Sequence, residues 1–209
     1  MRPEDIEPRS FQLIDQEAGP HAFSPDQWEI VRRMIHTTAD FDYIKTVRIH
    51  PQAIRKGIEA IQRGRPLFTD THMARVGIRK GELKRFGLDV TCLISEPSVK
   101  KTALQRGITR AAAAVDAARE DLEGGIYAVG NAPTALFRLI DLVREDRARP
   151  ALIIGLPVGF VHAAEAKEAL MALDYPHISN QGRKGGSNLA ASVINALLKM
   201  AAERESHGV

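Results

Sequence analysis

IYAVGNAPTALFRLIDLV (Ile126–Val143), ALIIGLPVGFVHAAEAKEAL (Ala151–Leu170) and PHISNQGRKGGSNLAASVINALL (Pro176–Leu198) follow one plan three times. Each opens with four or five mostly apolar residues. A turn of Gly, Pro or small polar residues follows, and apolar residues then recur at spacings of three and four. The first pattern fits a strand and the second a helix. Strands alternating with helices at this interval predict a parallel sheet with crossover helices. Ligands of such sheets bind where strands end and helices begin, because unpaired N–H groups and the positive end of the helix dipole favour anions there.

Upstream, PLFTD (Pro66–Asp70) reads as a strand feeding a short helix at THMARVGI, and LDVTCLI (Leu88–Ile94) as another strand. With the three units this makes five strands, at about 67–70, 89–94, 126–129, 152–155 and 176–179. Five parallel strands with helices on both faces describe an α/β fold with a doubly wound, flavodoxin-like sheet. ITRAAAAVDAAREDLEGG predicts a helix capped by Thr109 and stopped by Gly124 and Gly125. SPDQWEIVRRMIH predicts another, with Ser24 as cap, Pro25 in its first turn, Gln27 completing a capping box, and Trp28, Val31 and Ile35 as the buried stripe. A further helix is expected from Pro51 to Gln62. A polar segment containing Pro97 carries no predicted element. Residues 1–23, punctuated by Pro3, Pro8, Gly19 and Pro20, read as an N-terminal arm on a single domain spanning 1–209.

The 44% apolar content and 26% charge are those of an ordinary globular chain. No apolar run approaches a membrane-spanning length, and MRPEDIEPRSFQLID has no signal core. The lone Cys92 sits in an apolar run and is expected to pack as a small hydrophobe. A cytoplasmic location and no membrane partner are therefore expected. A net charge of +3, without a dense basic tract interleaved with aromatics, argues against nucleic acid as a partner and suits an acidic small molecule.

GRKGGSN (182–188) lacks the residue order of a phosphate-binding loop, and no dinucleotide fingerprint, nucleophile elbow or metal-ligand spacing occurs. No metal site is expected. The densest candidate is RMIHTTADFDY (33–43). Arg33, His36 and Asp40 share one helix face if the helix reaches that far. An arginine beside His36 holds the imidazole neutral until an anion enters, leaving it able to give or take a proton. The same residues also suit a surface histidine near a helix C-terminus. Asp70, Thr71 and His72 follow the first predicted strand and either meet a ligand or cap the short helix. Asn131, Pro133 and Thr134, then Pro157, Gly159 and Phe160, then Arg183, Lys184, Gly185, Gly186 and Ser187 form the turns of the three units. Their amides, cations and hydroxyl suit carboxylates, and they equally suit tight connections. Arg110 opens an alanine-rich helix.

RMIHTTAD, GNAPTALFRLI, GLPVGFVHAAEAKEAL and GRKGGSN resemble the motifs of precorrin-8X methylmutases, over a span from about Ser10 to about Leu197. The resemblance implies a three-layer α/β/α sandwich and a homodimer. It implies an isomerase of cobalamin biosynthesis that moves a ring methyl from C-11 to C-12 of precorrin-8X, giving hydrogenobyrinate, or converts cobalt-precorrin-8 to cobyrinate. It implies His36 as the catalytic histidine and Ser10, Arg33 and Arg110 as substrate contacts. Asp70, Asn131, Arg183 and Ser187 join them from the strand-end turns. No cofactor is implied, since a methyl shift within a conjugated ring needs no redox partner. Gln181 departs from the pattern, which has an arginine just before the GR-GGS turn. A non-catalytic tetrapyrrole carrier on the same fold is the first alternative reading, and a flavodoxin-like flavin protein, argued from fold alone, is the second.

Overall fold

The computed structural model describes residues 2–206; Met1 and residues 207–209 of the expected single domain lie outside the described residues. One sheet contains β1 (Val47–Ile49), β2 (Leu67–Thr69), β3 (Val90–Thr91), β4 (Ile126–Val129), β5 (Leu152–Gly155) and β6 (His177–Asn180). Its order is β1-β6-β5-β4-β2-β3. The strands from β2 to β6 run parallel, and β1 lies antiparallel on β6 with Val47 opposite Asn180. Chain order reverses between β2 and β4, which makes that crevice the topological switch point.

The helices are α1 (Pro3–Ala18), α2 (Pro25–Thr38), α3 (Tyr43–Thr46), α4 (Ala53–Gln62), α5 (His72–Gly77), α6 (Lys80–Arg85), α7 (Pro97–Arg106), α8 (Arg110–Ala118), α9 (Pro133–Arg144), α10 (Ala163–Met171) and α11 (Ser187–Ser206). Among the described residues none is long and apolar enough to cross a membrane. Strand side chains alternate between two cores, as a period of two requires. Ile126, Ala128, Leu152, Ile154 and Ile178 face α2, α4 and α11. Tyr127, Val129 and Ile153 face α8, α9 and α10. Both faces are covered, which is why the strands read as unbroken apolar runs. Each buried Leu or Ile contributes about 1.5–3 kcal/mol.

Two features set the position of α2. Ser24 and Gln27 form the expected capping box, with Gln27 N–H donating to Ser24 Oγ and Ser24 N–H to Gln27 Oε1. The buried Ile30, Val31, Met34 and Ile35 then lock the helix against Leu189, Val193, Ile194 and Leu197 of α11 and their neighbours.

Four expectations need correction. Among the described residues the sheet has six strands rather than five. Val47–Ile49 is only three residues long, with Arg48 exposed between its neighbours, and long-range pairing with β6 creates it. The stretch read as an arm contains a 16-residue helix. Pro3 falls in its first turn, where a missing N–H costs nothing, and Pro8 is carried inside it. The polar segment at Pro97 forms α7, with that proline again in the first turn. Finally, α2 stops at Thr38, where Ala39 takes a left-handed conformation (φ 53°), so Asp40 does not share a helix face with Arg33 and His36.

Candidate active site

His36 lies half-buried in the last turn of α2. Its ring packs against Phe11 of α1, with centroids 5.2 Å apart. One turn earlier Arg33 is 7% exposed, with its guanidinium 4.7 Å from the Phe11 ring centroid. Arg33 donates to Glu7 Oε1 at 2.5 Å, and Arg79 donates to the same oxygen at 2.9 Å. A carboxylate of the chain itself is thus held by two arginines beside the imidazole, and the Arg33 bond keeps Glu7 below the usual carboxylate range. Ser10, Leu13, Ile14 and Glu17 of α1 face Ile35, His36, Ala39 and Phe41 across a groove of about 420 Å³.

Burial lowers the His36 pKa. Arg33 and, more weakly, Arg79 push the same way, while Glu7 opposes them. The imidazole is therefore neutral at pH 7 in the free protein. Since the unfolded chain binds this proton more readily, the group withdraws stability as pH falls below about 6.5. In an NMR titration the His36 midpoint is expected below the ordinary imidazole value, and Arg33→Ala is expected to raise it by removing a repulsive charge. A midpoint unmoved by that change would leave burial, with the weaker push of Arg79, as the cause.

A second group gathers at the switch point. Asp70, 2% exposed, follows β2 and accepts the backbone N–H groups of Gly130 (2.9 Å), Asn131 (2.8 Å) and Ala132 (2.8 Å). Burial raises the pKa of its carboxyl and these bonds oppose the rise. Thr71 accepts Ala74 N–H as the cap of α5, and its hydroxyl lies 2.7 Å from that of Ser187 at the start of α11. Gly130 permits this junction, since a Cβ there would stand 2.6 Å from Ser187 Cα. Asp70 and Ser187 are thereby engaged in holding turns. The Asn131 side chain is exposed.

The remaining candidates occupy neighbouring turns. Arg110 is exposed at the first position of α8. Thr109 caps that helix and bonds Thr134 in the first turn of α9 at 2.8 Å, so the two helix starts lie side by side. Arg183 is exposed, with its guanidinium 5.5 Å from the Phe160 ring centroid. Lys184 is committed elsewhere, because its ammonium donates to Asp40 (2.6 Å) and Asp42 (2.7 Å) and ties this turn to the segment after His36. Gln181 accepts from Arg48 of β1 at 2.6 Å, so a guanidinium stands beside the turn although the sequence has no arginine at 181. His72 bonds Ser95.

The structure therefore brings Ser10, Arg33 and His36 together, and joins Asp70, Asn131 and Ser187 at the switch point. Glu7, Phe11 and Arg79 escaped the sequence reading because they lie in or contact a helix read as an arm. Among the described residues no cluster of three or more His, Cys, Asp or Glu side chains suits a metal ion.

A sheet of this order, with cations at its turns and a neutral imidazole beside two arginines, defines a flavodoxin-like α/β enzyme. The profile of the precorrin-8X methylmutase family matches residues 5–200, and the chain belongs to that family. It is 44% identical over 208 residues to the cobalt-precorrin-8 methylmutase of Leptospira interrogans, covering 96% of this chain and 94% of the relative. Identity to the cobalt-precorrin-8 methylmutase of Priestia megaterium is also 44%, over 197 residues, with 94% and 88% covered. The solved precorrin-8x methyl mutase of Thermus thermophilus has a TM-score of 0.89 at 46% identity and covers 96% of this chain and 97% of its own.

Proposed function

We propose that the chain is an isomerase of cobalamin biosynthesis, acting on precorrin-8X or cobalt-precorrin-8 and moving the ring methyl from C-11 to C-12. The observation that carries this reading is His36 in a groove with Ser10, kept neutral beside Arg33, in a member of the methylmutase family. The substrate is a wide macrocycle edged with carboxylates. The groove takes one edge of such a disc. Arg33, once a substrate carboxylate takes the place of Glu7 on its guanidinium, Arg110 and Arg183 are the cations for its rim, with Ser10 and Asn131 as polar contacts. Asp70 and Ser187 serve by fixing the turns. Val158, Phe160 and Val161, all exposed, offer an apolar surface beside Arg183. A second copy of the chain completes the cover over the ring.

His36 shares a proton with the macrocycle and biases its π-system toward methyl migration. The C-11 bond to the methyl breaks and the C-12 bond forms, so the atoms balance without a second reactant. The surrounding cations hold the ring so that one neighbouring carbon is in reach. Incubation with precorrin-8X or cobalt-precorrin-8 is expected to give a time-dependent shift to the corrin spectrum. An immediate, stoichiometric change alone favours the carrier reading.

Arg33→Ala is expected to raise KM more than it lowers kcat. Losing one charge-assisted hydrogen bond costs about 1.5–3 kcal/mol, or roughly 10- to 150-fold in affinity. An unchanged KM removes Arg33 from the rim contacts.

A further inference from the structure

Lys167 lies on α10 with 0% of its surface exposed. Its ammonium donates to the Lys184 carbonyl at 2.6 Å and to Asn180 Oδ1 at 3.3 Å, and both acceptors are neutral. The Asn180 amide donates in turn to the Lys184 carbonyl (3.0 Å) and the Gln181 carbonyl (3.1 Å). The Lys184 carbonyl of the 181–186 turn therefore points down onto a buried cation, and the Gln181 carbonyl onto the Asn180 amide beside it. Gly186 N–H reaches the Leu156 carbonyl at 2.9 Å, and a Cβ on Gly185 would stand 2.4 Å from that same oxygen, so the turn is also seated tightly on the neighbouring strand end. The Lys184 side chain leaves the turn in another direction, toward Asp40 and Asp42 after His36.

Burying a cation without a counter-charge costs several kcal/mol. A brace alone needs only a neutral donor, as Asn180 demonstrates in the same place. What an ammonium adds is charge beneath a turn that carries Arg183. We propose that Lys167 is a positioning residue for the isomerisation: its ammonium holds the carbonyl side of the 181–186 turn inward, sets the turn's outward face against a substrate carboxylate, and, through Lys184, steadies the segment that follows His36. The inference rests on the proposed function and adds a residue to it.

The surroundings make the charge testable. Glu165 and Glu168 on the same helix are exposed, Arg138 on α9 is paired with Asp116, and the Lys184 ammonium is turned to Asp40 and Asp42. Burial alone lowers the Lys167 pKa, to about 8. Above that pH the neutral amine still has two N–H groups for its two acceptors, so the brace survives while the charge is lost. The unfolded chain binds this proton more tightly, so stability rises between about pH 8 and the ordinary lysine value near 10.4. Loss of activity over that window without loss of stability separates the charge from the brace.

The experiment compares kcat/KM from pH 6 to 10 for the wild-type protein and Lys167→Met, with thermal melts and near-ultraviolet circular dichroism at each pH. The wild type is expected to lose activity through about pH 8 while staying folded. Lys167→Met is expected to be at least about tenfold slower at pH 7 and to lack that alkaline limb. A folded Lys167→Met with wild-type kcat/KM, or with the limb intact, overturns the positioning role and leaves the isomerase reading standing. Should Lys167→Met fail to fold, a wild-type profile flat to pH 9.5 overturns it, and a limb whose midpoint matches the Lys167 titration seen by NMR sustains it. A wild-type protein with no turnover at pH 7 removes the isomerase reading, and this role falls with it.

Discussion

Replacing His36 with alanine is expected to abolish turnover while leaving the fold and the binding of the corrin product in place. Positioned proton transfer contributes about 10²- to 10⁴-fold, and kcat is expected to fall by that factor. Stability should change little, because the imidazole is half-exposed in a final helical turn and alanine is a strong helix former. Arg33 and Ser10 keep their places, so product titrations followed in the visible spectrum should give nearly unchanged affinity. Normal turnover by this variant would exclude the histidine from the chemistry. Loss of binding together with turnover would instead assign it to the rim.

The largest effect on stability is expected at Asp70. Its carboxylate satisfies three main-chain N–H groups at the switch point, and alanine leaves all three, one buried and two part-buried, without this acceptor. Unsatisfied buried donors cost about 1–3 kcal/mol each. The turn can relax enough to recover part of this, so a loss of about 3–5 kcal/mol is expected, comparable to breaking a buried charged pair. That is a large share of the roughly 5–15 kcal/mol that holds a typical domain together. At about 2–4 °C per kcal/mol for a chain of this size, the melting temperature should fall by roughly 6–20 °C. Asp70→Asn should lie between, since its oxygen still accepts while its NH₂ group opposes the other donors. A thermal melt of Asp70→Ala that matches the wild type would mean that the three amides find other partners.

The two halves of this protein differed in how plainly they could be read. β4 and β5 lie where their apolar runs predict, because strands buried on both faces leave no polar positions to blur the pattern. The capping box of α2 was equally local, two residues three apart that satisfy one another. β1 could not be found that way, since a three-residue strand exists only through its partner some 130 residues later. Arg33 and His36 were legible as neighbours three apart on a helix. The commitment of Lys184 to Asp40 and Asp42 was not, because those groups are more than 140 residues away in sequence. Lys167 belongs to the GLPVGFVHAAEAKEAL motif, but nothing in that motif shows its burial. Within AEAKEAL it looks like a solvated lysine, and only the fold of the 181–186 turn over it reveals otherwise.

The sheet ends at both sides in very short strands, three residues of β1 and two of β3. Longer margins would present a row of unpaired main-chain groups, the template on which foreign strands extend a sheet into aggregates. Here almost no such template remains. The antiparallel β1 therefore acts as a hem, and any association between copies has to proceed through helices and loops instead of by growth of the sheet.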